Sequence, residues 1–261
     1  MKQIAISLMV IFLFISCKND PQNQSDQAPL VKVESAYPEA LESVFKAHGG
    51  LSNWQSMNGL SFGMERPNGI ETTLTNLKSR HSIIETPTYK LGFNGSALWV
   101  KELDTISYTG NAKFYNGLMF YFYAMPFVLA DDGITYEERA PLSHNGVEYP
   151  GLLISYNDGV GASPEDQYII YYHPETYQMA WLAYTVTFGK DEKSSNFRFI
   201  EYHDWQNLNG LKLPKAISWY KVEEGLPIER RNTLEFVDVD ISPNAPDGVI
   251  FEPEENSNII E

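Results

Sequence analysis

Cysteine is nearly absent from this chain: Cys17 is the one thiol in 261 residues. No internal disulfide is available, so the fold has to rest on its own apolar core. Basic side chains are scarce as well, 19 Lys and Arg against 34 Asp and Glu, for a net charge of −15. That deficit argues against nucleic acid and against docking on anionic headgroups by charge alone. No apolar run reaches the roughly 18 residues that a membrane-spanning helix needs. Also missing are a Gly-x-Ser-x-Gly elbow, a His-Glu-x-x-His pair, a glycine-rich phosphate loop and a Cys-x-x-Cys pair. The histidines, His48, His81, His144, His173 and His203, are dispersed and fall in no metal-ligand spacing. These absences predict no cofactor, no bound metal and no enzymatic activity.

What is present begins at the N-terminus. Lys2 is followed by an apolar run from Ile4 to Ile15, interrupted by Ser7. A charged start and an apolar stretch of about twelve residues have the layout of a secretory signal peptide. Phe14-Ile15-Ser16-Cys17 offers a small residue only just before the cysteine and resembles a loose bacterial lipobox. The expectation is a lipoprotein signal peptide over 1–16 and lipidation of Cys17, which would also remove the thiol as a nucleophile. Residues 17–36, rich in Gln, Asn, Ser, Asp and Pro, cannot bury enough apolar surface to order themselves and read as a flexible tether. The predicted address is the bacterial envelope, at the periplasmic or surface face of the outer membrane. The membrane is met through the lipid.

From Tyr37 the chain reads as one domain to residue 252, followed by an acidic, solvated tail over 253–261. Aromatic residues make up 13% of the sequence, ample for a large core. Tyr37–Ala47 is the first predicted helix, with Pro38 at its start, Glu39 and Glu42 near its positive end, and His48-Gly49-Gly50 as its stop. A helical turn carrying Trp54 follows. From Leu60 short strands alternate with turns, and Asn94-Gly95 is hairpin punctuation. Candidates are 60–66, 70–79, 81–86, 90–93, 96–101, 105–109, 135–139, 152–157, 167–173, 179–188, 196–204, 215–221 and 231–240. Alternation within Ala180–Phe188 and Phe197–Tyr202 gives each strand one apolar face.

The exception is Phe114–Ala130, apolar or aromatic throughout from Leu118. It reads as a helix from about Gly117 to Ala124, broken near Met125-Pro126. Such a segment must be buried as core or must line a cavity. On Glu201-Tyr202-His203-Asp204, strand alternation puts Glu201 and His203 on one face about 7 Å apart. They could begin a metal site, or lie on a solvated strand end. Asn157–Asp166 mixes acids and glycines without the regular spacing of a calcium loop and reads as a rim loop.

Two late stretches carry a resemblance. Asn209-Gly210-Leu211-Lys212-Leu213-Pro214 looks like the Asp/Asn-Gly-x-x-x-Pro turn of the LolA/LolB-like superfamily, and His173-Pro174-Glu175-Thr176 resembles the turn that introduces its next hairpin. The chain is similar to an uncharacterised family of bacterial lipoproteins with that architecture. The resemblance implies a mainly β (α+β) fold: a curved antiparallel sheet forming an incomplete barrel of about eleven strands, its concave side covered by a few helices. It implies a cavity for a lipid or acyl chain. Candidates for its lining are Trp54, Phe62, Trp99, Phe120, Phe122, Phe127, Trp181 and Phe199. The leading functional expectation is a membrane-anchored, non-enzymatic lipoprotein that binds an apolar ligand. The alternatives are a structural or scaffolding lipoprotein with a self-filled barrel, and a metal-dependent hydrolase using Glu201 and His203.

Overall fold

The computed structural model describes residues 36–105, 107–157, 165–190 and 192–260. Residues 1–16, Cys17 and nearly all of the predicted tether lie outside them, as does most of the 157–166 loop. The first helix, α1 (Glu39–Ala47), starts after Pro38 and buries Leu41, Val44 and Phe45, the one stripe its spacing makes apolar. Gly49 and Gly50 follow at φ of 100° and 92°, a region open to glycine, and release the chain into α2 (Leu51–Ser56).

Thirteen strands follow: β1 (Gly59–Arg66), β2 (Gly69–Asn76), β3 (Ser82–Glu85), β4 (Tyr89–Phe93), β5 (Leu98–Glu102), β6 (Ile134–His144), β7 (Val147–Tyr156), β8 (Gln167–Tyr172), β9 (Met179–Tyr184), β10 (Arg198–Leu208), β11 (Leu211–Glu223), β12 (Leu226–Ser242) and β13 (Asn258–Ile260). They form one antiparallel sheet in the order β13-β5-β4-β3-β2-β1-β12-β11-β10-β9-β8-β7-β6, open at both ends. The mainly β, unclosed architecture expected from the sequence is therefore present, with thirteen strands in place of about eleven. Apart from the junction of β1 with β12, the strands of each half pair largely with their neighbours in sequence.

Between β5 and β6 the chain leaves the sheet and forms α3 (Ala112–Tyr115), α4 (Leu118–Tyr123) and a 3-10 turn over Phe127–Ala130. The break expected at Met125-Pro126 separates the last two. The strand expected at 105–109 is not formed: Thr105 and Ser107–Thr109 are irregular. Side chains take its backbone donors instead of a ladder, Glu102 accepting from the Tyr108 N–H at 2.8 Å and Asp104 from that of Thr105.

The acidic end also departs from the expected solvated tail. Trp99 Nε1 donates to the Phe251 carbonyl at 2.9 Å, Glu254 pairs with Lys90 and Lys101, and β13 adds to the free edge of β5. Charge pairing and an unpaired strand edge draw the segment back onto the sheet.

The main core lies on the face that carries the helices. Leu60, Phe62 and Met64 of β1, Leu182 and Tyr184 of β9, and Ile200 and Tyr202 of β10 meet the apolar segment there. Three tyrosine hydroxyls pin that segment: Tyr202 donates to the carbonyl of Phe122, Tyr136 to Leu129 and Tyr37 to Ala130. Those carbonyls would otherwise be orphaned in an apolar site.

Candidate functional site

The centre of the helix-bearing face is filled by the protein's own rings. Phe127 stacks on Trp54 at 4.9 Å and on Phe45 at 6.2 Å, Phe62 stacks on Tyr123 at 4.5 Å, and Phe122 meets Tyr184 edge-on at 5.0 Å. Trp54, Phe62, Phe120, Phe122 and Phe127 therefore share one cluster, and all five are buried. The other three candidates lie elsewhere. Trp181 and Phe199 belong to a second cluster with Leu153, Ile169 and Tyr171. Strand alternation turns these away from Leu182 and Ile200, so they occupy the opposite face of the sheet. Trp99 lies against Gly92, where a side chain would collide with the indole, and under Phe251. The eight residues thus do not converge on one space.

Open space on the helix-bearing face lies toward the β5 end. Its floor was not anticipated: β2 buries Glu71, Thr73 and Thr75 on successive positions of one face. The β1–β2 register sets Met64 opposite Glu71, Phe62 opposite Thr73 and Leu60 opposite Thr75, which aligns this polar row with the core side of β1. A sequence signal existed. Arg66 pairs with Gly69 across Pro67-Asn68, and a two-residue hairpin turn fixes the register of everything before it.

Beside Glu71 is a cleft of about 390 Å³ walled by Thr88, Tyr89, Ser107–Asn111, Phe114 and Tyr115. Asn111 caps α3 by accepting from the Phe114 N–H, which sets Phe114 and Tyr115 on the cleft wall. The Tyr115 hydroxyl donates to Glu71 Oε1 at 2.5 Å, and Arg66 Nη2 donates to that hydroxyl at 3.0 Å and to Glu71 at 3.4 Å. The Glu71 charge is thereby matched by a guanidinium and a phenol. Tyr89 and Tyr108 meet edge-on at 4.8 Å. Burial, helped by the nearby Glu71 charge, pushes the Tyr89 phenol up to about 12 and Tyr115 further still. Both stay protonated at neutral pH, and Tyr115 serves as a hydrogen-bond donor to Glu71 rather than as a base.

The Glu201–His203 pair is placed on one face of β10, as alternation requires, but each member is engaged. Glu201 Oε2 accepts from Tyr220 at 2.7 Å and Arg230 at 2.6 Å, and His203 Nε2 lies 2.9 Å from Ser218 Oγ. Burial and Arg230 lower the His203 pKa. Among the described residues no group of three or more His, Cys, Asp or Glu is arranged to hold a metal.

An open antiparallel sheet with helices and one apolar segment on a single face defines the architectural class, and the solved structures it is similar to include the following. A LolA superfamily protein from Nitrosomonas europaea is 11% identical, with 82% of this chain and 97% of that chain covered at a TM-score of 0.49. A DUF1329 family protein from Desulfovibrio piger is 12% identical over 82% and 95% of the two chains, at 0.48. The lipoprotein LppX of Mycobacterium tuberculosis is 8% identical over 59% and 91%, at 0.27. Residues 101–230 match a family described as "Family of unknown function (DUF6503)". No curated protein matches the chain.

Proposed function

We propose that this chain is a non-enzymatic envelope lipoprotein, anchored through Cys17, that binds an apolar or amphipathic molecule between β2–β5 and the 107–121 segment. The observation that carries this reading is the aromatic cleft of about 390 Å³ beside Glu71 on the helix-bearing face. Clefts of this size walled by rings, with a few convergent polar groups, suit small ligands. Tyr89, Tyr108 and Phe114 supply apolar contact. Tyr115 and Glu71 supply the polar end, and an acidic body at −15 favours a ligand without negative charge.

The test is native mass spectrometry of the purified chain, with fluorescence titration of the neutral probe N-phenyl-1-naphthylamine. Co-purified or added ligand in one equivalent is expected, and no uptake by either measure contradicts the reading. Cys17→Ser is expected to move the chain from the membrane to the soluble fraction, and unchanged membrane retention contradicts the anchor.

The self-filled, structural reading has one observation in its favour: the Phe45–Phe127–Trp54 stack and the Phe62–Tyr123 pair put the protein's own rings against one another where the sequence led one to expect a ligand. Absence of any probe binding favours it.

A further inference from the structure

A second space on the same face is smaller and chemically different. It measures about 160 Å³ and lies between β2–β3 and the α3–α4 junction, lined by Thr73, Thr75 and Arg80, with Ile84, Phe93 and Phe120 among its apolar walls. Thr73 and Thr75 are 3% and 2% exposed, and their hydroxyls have no hydrogen-bond partner. Arg80 Nη1 is buried and unpartnered too, although Nη2 of the same guanidinium binds Asp131 Oδ1 at 2.6 Å. Three orphaned polar atoms around one cavity stand against the general rule that buried polar groups are satisfied. Each carries a desolvation cost that a bound acceptor would relieve.

We infer that this pocket is a recognition site for an uncharged hydrogen-bond acceptor, such as the carbonyl of an ester, on a small amphiphile. Arg80 Nη1 and one threonine hydroxyl would donate to the carbonyl oxygen and the other hydroxyl to the alkoxy oxygen, while the alkyl part lies against Phe120, Phe93 and Ile84. A cavity of roughly 150 Å³ accommodates benzene, so this space takes the ester end and the first few carbons of the chain. Charge decides between an ester and a carboxylate. Asp131 already neutralises Arg80, and Asp132 follows it, so an incoming carboxylate would meet a like charge in a half-buried site. The Arg80 guanidinium lies over the Phe120 ring, 4.9 Å from its centroid, which holds the donor end in place.

The inference rests on the reading of this face as a binding face, and calorimetric titration of the full chain with methyl hexanoate and with hexanoate tests it. Methyl hexanoate is expected to bind at least about tenfold more tightly, the worth of roughly one good hydrogen bond in a dry site. T73V/T75V keeps the shape and removes both hydroxyls. It is expected to lose about tenfold in ester affinity while gaining a few degrees in Tm, because unpartnered hydroxyls leave the core. Equal affinity for ester and carboxylate, unchanged ester affinity in T73V/T75V, or a fall in its Tm overturns the site. A fall in Tm would assign the hydroxyls to bound water. If the double substitution does not fold, Thr73→Val against Thr73→Ser carries the same comparison, with Ser expected to retain the affinity. N-phenyl-1-naphthylamine binding without ester binding sinks this pocket alone; binding of neither sinks the broader reading as well.

Discussion

His48 and Met179, 131 residues apart, are joined by a hydrogen bond: the Met179 N–H donates to His48 Nε2 at 3.0 Å. The other ring nitrogen, Nδ1, faces the Lys212 carbonyl at 3.1 Å and must therefore carry the proton. The neutral ring, fully buried against Trp205 and Phe127, ties the end of α1 to β9 and β11. Charging it would cost both its desolvation and the Met179 bond.

Burial lowers the His48 pKa from the ordinary 6.5 to about 4. Between those values the unfolded chain binds a proton that the folded chain refuses. Stability is thus fully present above pH 6.5 and falls as pH drops toward 4, by about 3 kcal/mol from this group. Urea denaturation at pH 7 and pH 4.5 checks it, and His48→Gln is expected to be less stable at pH 7 with a smaller change between the two.

Phe127→Ala removes a ring clamped between Trp54 and Phe45 and 1% exposed. A loss of about 3–5 kcal/mol is expected from chemical denaturation, as for other large-to-small core changes. The same substitution at Trp181, on the opposite face, is expected to cost as much while leaving probe binding untouched.

Much of this was legible. Period-two alternation located nearly all of the strands, and the density of Phe114–Ala130 marked the one segment that had to be buried. Strand lengths were less so: β12 runs over Leu226–Ser242, beyond the 231–240 expected, because its polar hairpin end looks like loop without its β11 partner. The division of aromatics between faces was hidden for a related reason. Trp181 and Leu182 are equally apolar in sequence, and only pairing and the position of the helices decide which one meets the core. The polar row of β2 was missed because buried threonines look like a solvated face until the hairpin register is applied.

Tyr115→Phe removes the hydroxyl that donates to Glu71 and accepts from Arg66, leaving a buried carboxylate with one remaining partner at 3.4 Å. A destabilisation of about 1–3 kcal/mol is expected, read by thermal or urea unfolding.

His203→Ala removes a ring whose visible contact is Ser218, on the face away from the cleft. Its effect on stability is expected to stay near 1 kcal/mol, with no effect on probe binding. Added zinc is expected to leave the wild-type Tm unchanged; a zinc-dependent rise lost in His203→Ala would revive the metal reading.

The central claim is that the space beside Glu71 holds a ligand, and titration of N-phenyl-1-naphthylamine into wild-type and Tyr89→Ala/Tyr108→Ala chains tests it most directly. The account predicts saturable binding of one equivalent, weakened about tenfold or more when the two rings that form the cleft wall are removed. No binding to the wild type, or equal binding by both chains, would contradict it.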